Sequence, residues 1–194
     1  MPPKAKFSRD EIIQAGLDIV RENGLEALSA RALGAKLGSS ARPIFTIFQN
    51  MEEVHAEVRK QAKLLYATYV KKGLEQELAF KGVGTQYILF AVQEPKLFQL
   101  LFMSEQKQPP AVVNVMPVID DNYKEILLSV QNGYHLSEDK AEQLYRHLWI
   151  YTHGIAVLCA TNMCVFTTEE INKMIVQVFT GVLKEIKNDT GEKN

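Results

Sequence analysis

A chain of 194 residues that is 46% hydrophobic and 23% charged has enough apolar material to bury a core, which excludes a mainly disordered protein. Its apolar positions never run unbroken for the roughly 20 residues of a membrane span, and Pro2, Pro3, Lys4 and Lys6 at the start carry no apolar segment, so neither a span nor a signal peptide is expected. Net charge is −1, divided into a mildly basic head (seven cations against five anions in 1–50) and an acidic body (ten against thirteen from Phe80 onward), a balance compatible with a DNA reader.

Helical signals run along the chain, and no stretch alternates at period two between hairpin turns. Ser8 with Glu11 three residues on forms a capping box that opens the first helix. Ile12, Ile13, Leu17 and Val20 mark its apolar stripe, and Asn23-Gly24 ends it. A second, short helix follows Ser29, buries Leu33 and Leu37, and stops at Gly38. Ser39 or Ser40 caps a third helix with Ile44, Phe45 and Phe48 on its core face. Asn50 and Glu53 open a fourth, predicted from 51 towards 80, with Val54, Val58, Ala62, Leu65 and Tyr69 inward and Gly82-Val83-Gly84 as a break. Further helices are predicted over 86–92, 95–104, 112–131, 137–162 and 168–187, with Pro109-Pro110 and Asn132-Gly133 as separators and Thr168 as the last cap.

Two short helices joined by a Gly-containing turn, after a longer first helix, make a helix-turn-helix unit. One face of its last helix must be held by apolar contacts while the other stays free for a major groove. Ala41, Arg42, Pro43, Thr46 and Ile47 lie near that free face. Arg42 has the chemistry to pair with guanine or a phosphate, and the Pro43 ring to touch a thymine methyl.

The run from Leu33-Gly34 through Gly38-Ser39-Ser40, Ile44-Phe45 and Phe48 to Met51-Glu52-Glu53 resembles the signature of the TetR family of transcriptional regulators, and with 8–28 it covers that family's DNA-binding domain. The resemblance implies phosphate contacts from Ser29 and Arg31, and groove and backbone contacts from Ser39, Ser40, Ala41, Arg42, Pro43, Phe45 and Thr46. Met51 and Ile47 depart from the family, which often has a basic and a polar residue there. Further on, Trp149-Ile150-Tyr151-Thr152-His153-Gly154, with Tyr87 to Ala91 and Pro95 to Phe102 upstream, is similar to a Trp-His-Gly subtype of TetR/AcrR-like regulators.

The resemblance implies an all-α protein, with a helix-turn-helix domain over 1–50 and a ligand-binding and dimerisation domain over 51–194. Phe90, Phe98, Phe102, Met103, Tyr123, Tyr145, Trp149 and His153 are candidate walls of an effector pocket, each with plain core packing as the alternative. Ile155, Leu158, Met163, Ile171, Met174, Ile175, Val178, Phe179, Val182 and Leu183 offer more apolar surface than the last two helices need, which points to a homodimer through a four-helix bundle. Cys159 and Cys164 are expected as buried apolar fillers in a protein of the reducing cytoplasm. No phosphate loop, zinc-binding helix or nucleophile elbow is present, so no enzyme, cofactor or metal is expected. The function expected is a repressor released from operator DNA by a small hydrophobic or amphipathic effector. The alternative is a helical protein-binding adaptor that does not bind DNA.

Overall fold

The computed structural model describes residues 6–189, and among them the fold is all-α. The helices are α1 Arg9–Asn23, α2 Ala30–Lys36, α3 Met51–Leu74, α4 Ala79–Gln93, α5 Pro95–Phe102, α6 Val115–Ile119, α7 Tyr123–Tyr134, α8 Glu138–Ala160 and α9 Thr168–Asn188, with 3-10 turns at Leu25–Ala27, Ile44–Thr46 and Val112–Asn114. None of the described helices is long and apolar enough to cross a membrane. Of the described residues, those up to Tyr66 form one compact unit together with Glu94–Glu105. Those of Ala67–Gln93 form another with the residues from Gln106 onward.

In the first unit, α1 opens on the expected capping box: the Glu11 amide donates to Ser8 Oγ at 3.1 Å and the Ser8 amide to Glu11 Oε2 at 2.7 Å. Gly24, at φ +85, ends it with an amide bond to the Val20 carbonyl. Ile12, Val20, Leu33, Ile44, Phe48, Val54 and Val58 are buried at 1% exposure or less, so this small unit has a real apolar centre. Helix α5 belongs to it too. Leu97, Phe98 and Leu100 are buried, Arg21 Nε meets Glu94 at 2.7 Å, and Phe102 makes an edge contact with Tyr66 at 4.9 Å.

One contact in this unit was not legible in the chain order. Arg9 lies over the Phe48 ring at 4.3 Å and reaches Glu53 at 2.8 Å and Glu57 at 3.0 Å, tying the start of α1 to that of α3. The Gln49 amide, then Arg9, hold the Glu53 carboxyl below its ordinary 4.5. A depressed carboxyl pKa contributes stability that is complete above the unfolded value and lost as pH falls through the folded one. Ser8 lowers Glu11 and Thr167 lowers Glu170 in the same direction. Acid titration followed by circular dichroism is therefore expected to show destabilisation beginning below about pH 4.5, shallower in Glu53→Gln. An unchanged acid limb in that variant counts against the Glu53 contribution.

In the second unit, α4 packs along α8, and α7 and α9 lie against α8. Phe80, Val83, Ile88, Phe90 and Ala91 of α4 and Leu144, Leu148 and Ile155 of α8 are buried. The glycines of α4 lie within the helix, where a break was expected. The backbones of α3 and α4 approach so closely that a Cβ on Gly82 would sit 2.3 Å from the Gly73 carbonyl oxygen, and one on Gly73 2.6 Å from Val83 backbone atoms. Gly73 and Gly82 serve a close crossing, and the chain turns between them, from Leu74 to Ala79.

Other expectations are corrected in detail. The third helix is only the 3-10 turn Ile44–Thr46, begun by Pro43 at φ −61 and closed by the Thr46 hydroxyl donating to the Pro43 carbonyl at 2.6 Å. Phe45, expected in the core, is 46% exposed. The helix predicted over 112–131 is divided because Asp120 Oδ1 takes the Asn122 amide at 2.8 Å, which starts α7 afresh. Helix α7 then runs through Asn132-Gly133 and stops at His135, which adopts the left-handed conformation at φ 55. The cap of α9 is Thr167, boxed with Glu170, not Thr168. Cys159 is half-buried and Cys164 exposed, so neither is the enclosed filler expected.

Candidate functional site

The elbow between α2 and the 3-10 turn is built by backbone economy. Gly38, at φ +63, lets its own amide reach Ala35 O at 3.0 Å and the Ser39 amide reach Gly34 O at 2.8 Å. Gly34 has no room for a side chain: a Cβ would lie 2.9 Å from the Ser40 carbonyl carbon and 3.0 Å from the Ala41 nitrogen. Sequence reasoning valued Gly38 and passed over Gly34, because a close approach between segments leaves no local signal. From beneath, Ile44 and Phe48 anchor the turn at 0% and 1% exposure.

That anchoring leaves the opposite flank outward. Ser40, Arg42, Phe45 and Thr46 are exposed, and Ser39, Ala41 and Pro43 are half-buried. Ser39 Oγ receives the Lys6 ammonium at 3.0 Å. Ser29 is exposed and caps α2, taking the Ala32 amide at 3.2 Å, and Arg31 is exposed beside it. Lys36 is instead engaged with Glu22 at 2.9 Å, which raises its pKa. The flank thus presents a guanidinium, hydroxyls and an aromatic edge on a rigid support, the groups that meet phosphates and base edges.

The aromatic candidates fall in two places. Phe98, Phe102 and Met103 belong to the first unit, where Phe98 and Phe102 pack at 5.2 Å and Met103 is 40% exposed. Phe90, Tyr123, Tyr145, Trp149 and His153 belong to the second. There Phe90 is fully buried against Tyr69 at 5.1 Å, and the others join into a polar aromatic cluster. Tyr123 stacks on Tyr145 at 5.9 Å with planes 12° apart, and Trp149 stacks on His153 at 5.0 Å with planes 21° apart. Phe80 meets Tyr145 edge-on at 5.6 Å.

Three further members were missed from sequence. Tyr87 is 4% exposed and its Oη lies 2.9 Å from His153 Nδ1. Asp120 is a carboxylate buried to 4% exposure, its Oδ1 holding the backbone and side-chain nitrogens of Asn122. Glu142 accepts a short hydrogen bond from the Tyr123 hydroxyl. Burial and then the Asp120 charge push the Tyr87 phenol well above its usual 10.0, and both act on Tyr145 in the same direction. Tyr123 is pushed up to about 12 by burial and by Glu142. Burial lowers His153, so the imidazole is neutral near pH 7. The cluster therefore holds protonated phenols and a neutral imidazole, groups that bind through hydrogen bonds. Asp120 was invisible because a buried acid and an exposed one read alike in a sequence.

Residues 80–179 match the family described as the tetracyclin repressor-like C-terminal domain. No curated protein sequence matches the chain. Among solved structures, the fold is similar to that of a transcriptional regulator from Rhodococcus sp. Rha1, with a TM-score of 0.64 and 14% identity, over 92% of this chain and 97% of that one.

Proposed function

This chain belongs to the tetracyclin repressor-like family of transcriptional regulators, and on that premise we propose that it is a homodimeric repressor of the cytoplasm, released from its operator by a small molecule. Residues 1–50 serve as the reading head and 51–194 as the sensing and dimerising body. The observation that carries the reading is the elbow: Ile44 and Phe48 are sealed in the core while Arg42, Phe45 and Thr46 face outward from the same turn. A DNA reader needs that division, one flank held by apolar contacts and the other free to enter a groove.

Dimerisation follows from surface that the body does not use. Ile155 and Ile175 are spent on its own core, but Met163 is 75% exposed and Ile171, Met174, Val178, Phe179, Val182 and Leu183 are only half-buried. A second copy packed on α8 and α9 would cover them and bring two elbows into one molecule, and a dimeric reader of successive major grooves needs its two elbows about 34 Å apart. The polar aromatic cluster of the second unit is the proposed effector site. Effector release of DNA requires only that the effector bind more tightly to one head spacing than to the other, and each ligand then weakens the other by the same factor.

A gel shift with the DNA upstream of the protein's own gene, repeated across salt concentrations, tests the reading. Binding that weakens steeply with salt supports phosphate neutralisation by the head. Absence of binding to that DNA and to any sequence selected from a random pool overturns it and favours a protein-binding adaptor.

A further inference from the structure

Trp149 is the one tryptophan of the chain, and its indole Nε1 is buried without a hydrogen-bond partner among the described residues. The N–H faces the Tyr87 hydroxyl and weakly offsets the rise in that phenol's pKa, but at a geometry short of a full hydrogen bond. Leaving a buried donor unsatisfied costs about 1–3 kcal/mol. Native interiors keep such a group where something else serves it. Trp149 as a residue is only partly buried.

The neighbours restrict what can serve it. His153, one turn along α8, stacks on the indole, and its Nδ1 is occupied with Tyr87 Oη. The aromatic pairs Trp149–His153 and Tyr123–Tyr145 place stacked, flat rings in the same unit as the indole. Asp120, buried at 4% exposure and felt by both Tyr87 and Tyr145, makes the surroundings unfavourable to an anion.

We propose that the Trp149 indole N–H is the polar anchor of the effector site, and that the site takes planar molecules without negative charge that present a ketone, ester or ether oxygen beside an apolar body. This rests on the effector reading above and adds the ligand class to it. An acceptor is required because the open group is a donor, a flat body because the neighbouring rings are stacked, and the absence of negative charge because of the Asp120 carboxylate.

A nitrogen–proton correlation spectrum of the full-length protein without DNA reads the anchor directly, since one tryptophan gives one indole cross-peak. The probes are 2-acetylnaphthalene, naphthalene and 2-naphthoate, which share a ring system and differ in acceptor and charge. The ketone is expected to move the indole proton downfield in a saturable way and to bind about tenfold more tightly than either of the other two, equivalent to ~1.4 kcal/mol. Trp149→Phe, checked for fold by circular dichroism, is expected to erase the preference of ketone over hydrocarbon. If that variant does not fold, the wild-type cross-peak still decides. The proposal is overturned if the ketone does not bind, if its affinity equals that of naphthalene, or if the cross-peak stays in place at saturation. Contact of the indole proton with a water that persists under bound ketone overturns it as well. Because no DNA is present, failure here is separate from failure of the gel shift, which would strike the regulator reading alone.

Discussion

Gly82→Ala is expected to destabilise the second unit by about 3 kcal/mol, the upper end of what overpacking costs. The added methyl would stand 2.3 Å from the Gly73 carbonyl oxygen, and a backbone atom inside a helix cannot swing aside as a side-chain tip can. Helices α3 and α4 would have to part, opening space around Val70 and Val83, which are buried at 5% exposure or less. Gly73→Ala meets Val83 at 2.6 Å and is expected to behave alike. For a chain of this size the destabilisation corresponds to a fall in Tm of about 10 °C. Gly133→Ala provides the contrast. It lies in α7 with nothing among the described residues within 4 Å of its added carbon, so helix propensity alone operates and a gain of roughly 0.5–1 kcal/mol is expected. Thermal and urea unfolding of the three variants checks the argument, and a Gly82→Ala protein as stable as the parent would mean that the two helices do not cross at that separation.

The second large effect concerns DNA. Arg42→Ala is expected to reduce operator affinity by about 10- to 100-fold without changing the melting temperature, because the guanidinium is exposed at the elbow. The salt dependence separates its two possible partners. If Arg42 meets a phosphate, affinity falls alike on all sequences and the slope of log affinity against log salt shrinks by about 0.9 for each phosphate no longer neutralised. If it meets guanine, discrimination at that base pair relaxes by about 1–3 kcal/mol. Gly34→Ala attacks the same function through geometry. Its methyl would press on the Ser40–Ala41 backbone at 2.9–3.0 Å, so the turn must shift and carry Arg42 and Phe45 with it. Loss of binding in Gly34→Ala with the body still folded would show that the pose of the flank matters as much as its side chains. Unchanged affinity in both variants would remove the elbow from DNA recognition.

The signals legible in the sequence were those that act over a few residues. Ser8 with Glu11 capped α1 as read, Ser29 capped α2, and Gly24 and Gly38 took up the positive φ their positions required. The family signature across the elbow belongs to the same class, since a turn and its anchors fall within one short stretch. Longer relations were misread wherever a local signal had two uses. Gly82 and Gly84 looked like a break, but both lie inside α4 and Gly82 makes the crossing, because a glycine that ends a helix and one that admits a neighbouring backbone are the same letter. Phe45 looked like core because apolar character does not say which side of a three-residue turn a ring takes.

By itself, then, the order of residues determined the all-helical class, the caps of α1 and α2 and the elbow, since these depend on hydrogen bonds and steric limits between near neighbours. Only the tertiary structure decided that Arg9 bridges Glu53 and Glu57 over Phe48, that Gly34 must stay bare, and that Asp120, Tyr87 and Trp149 share one interior. Each of these joins segments separated by several to many positions, and what holds them is burial and close packing, which come into being when the chain has closed on itself.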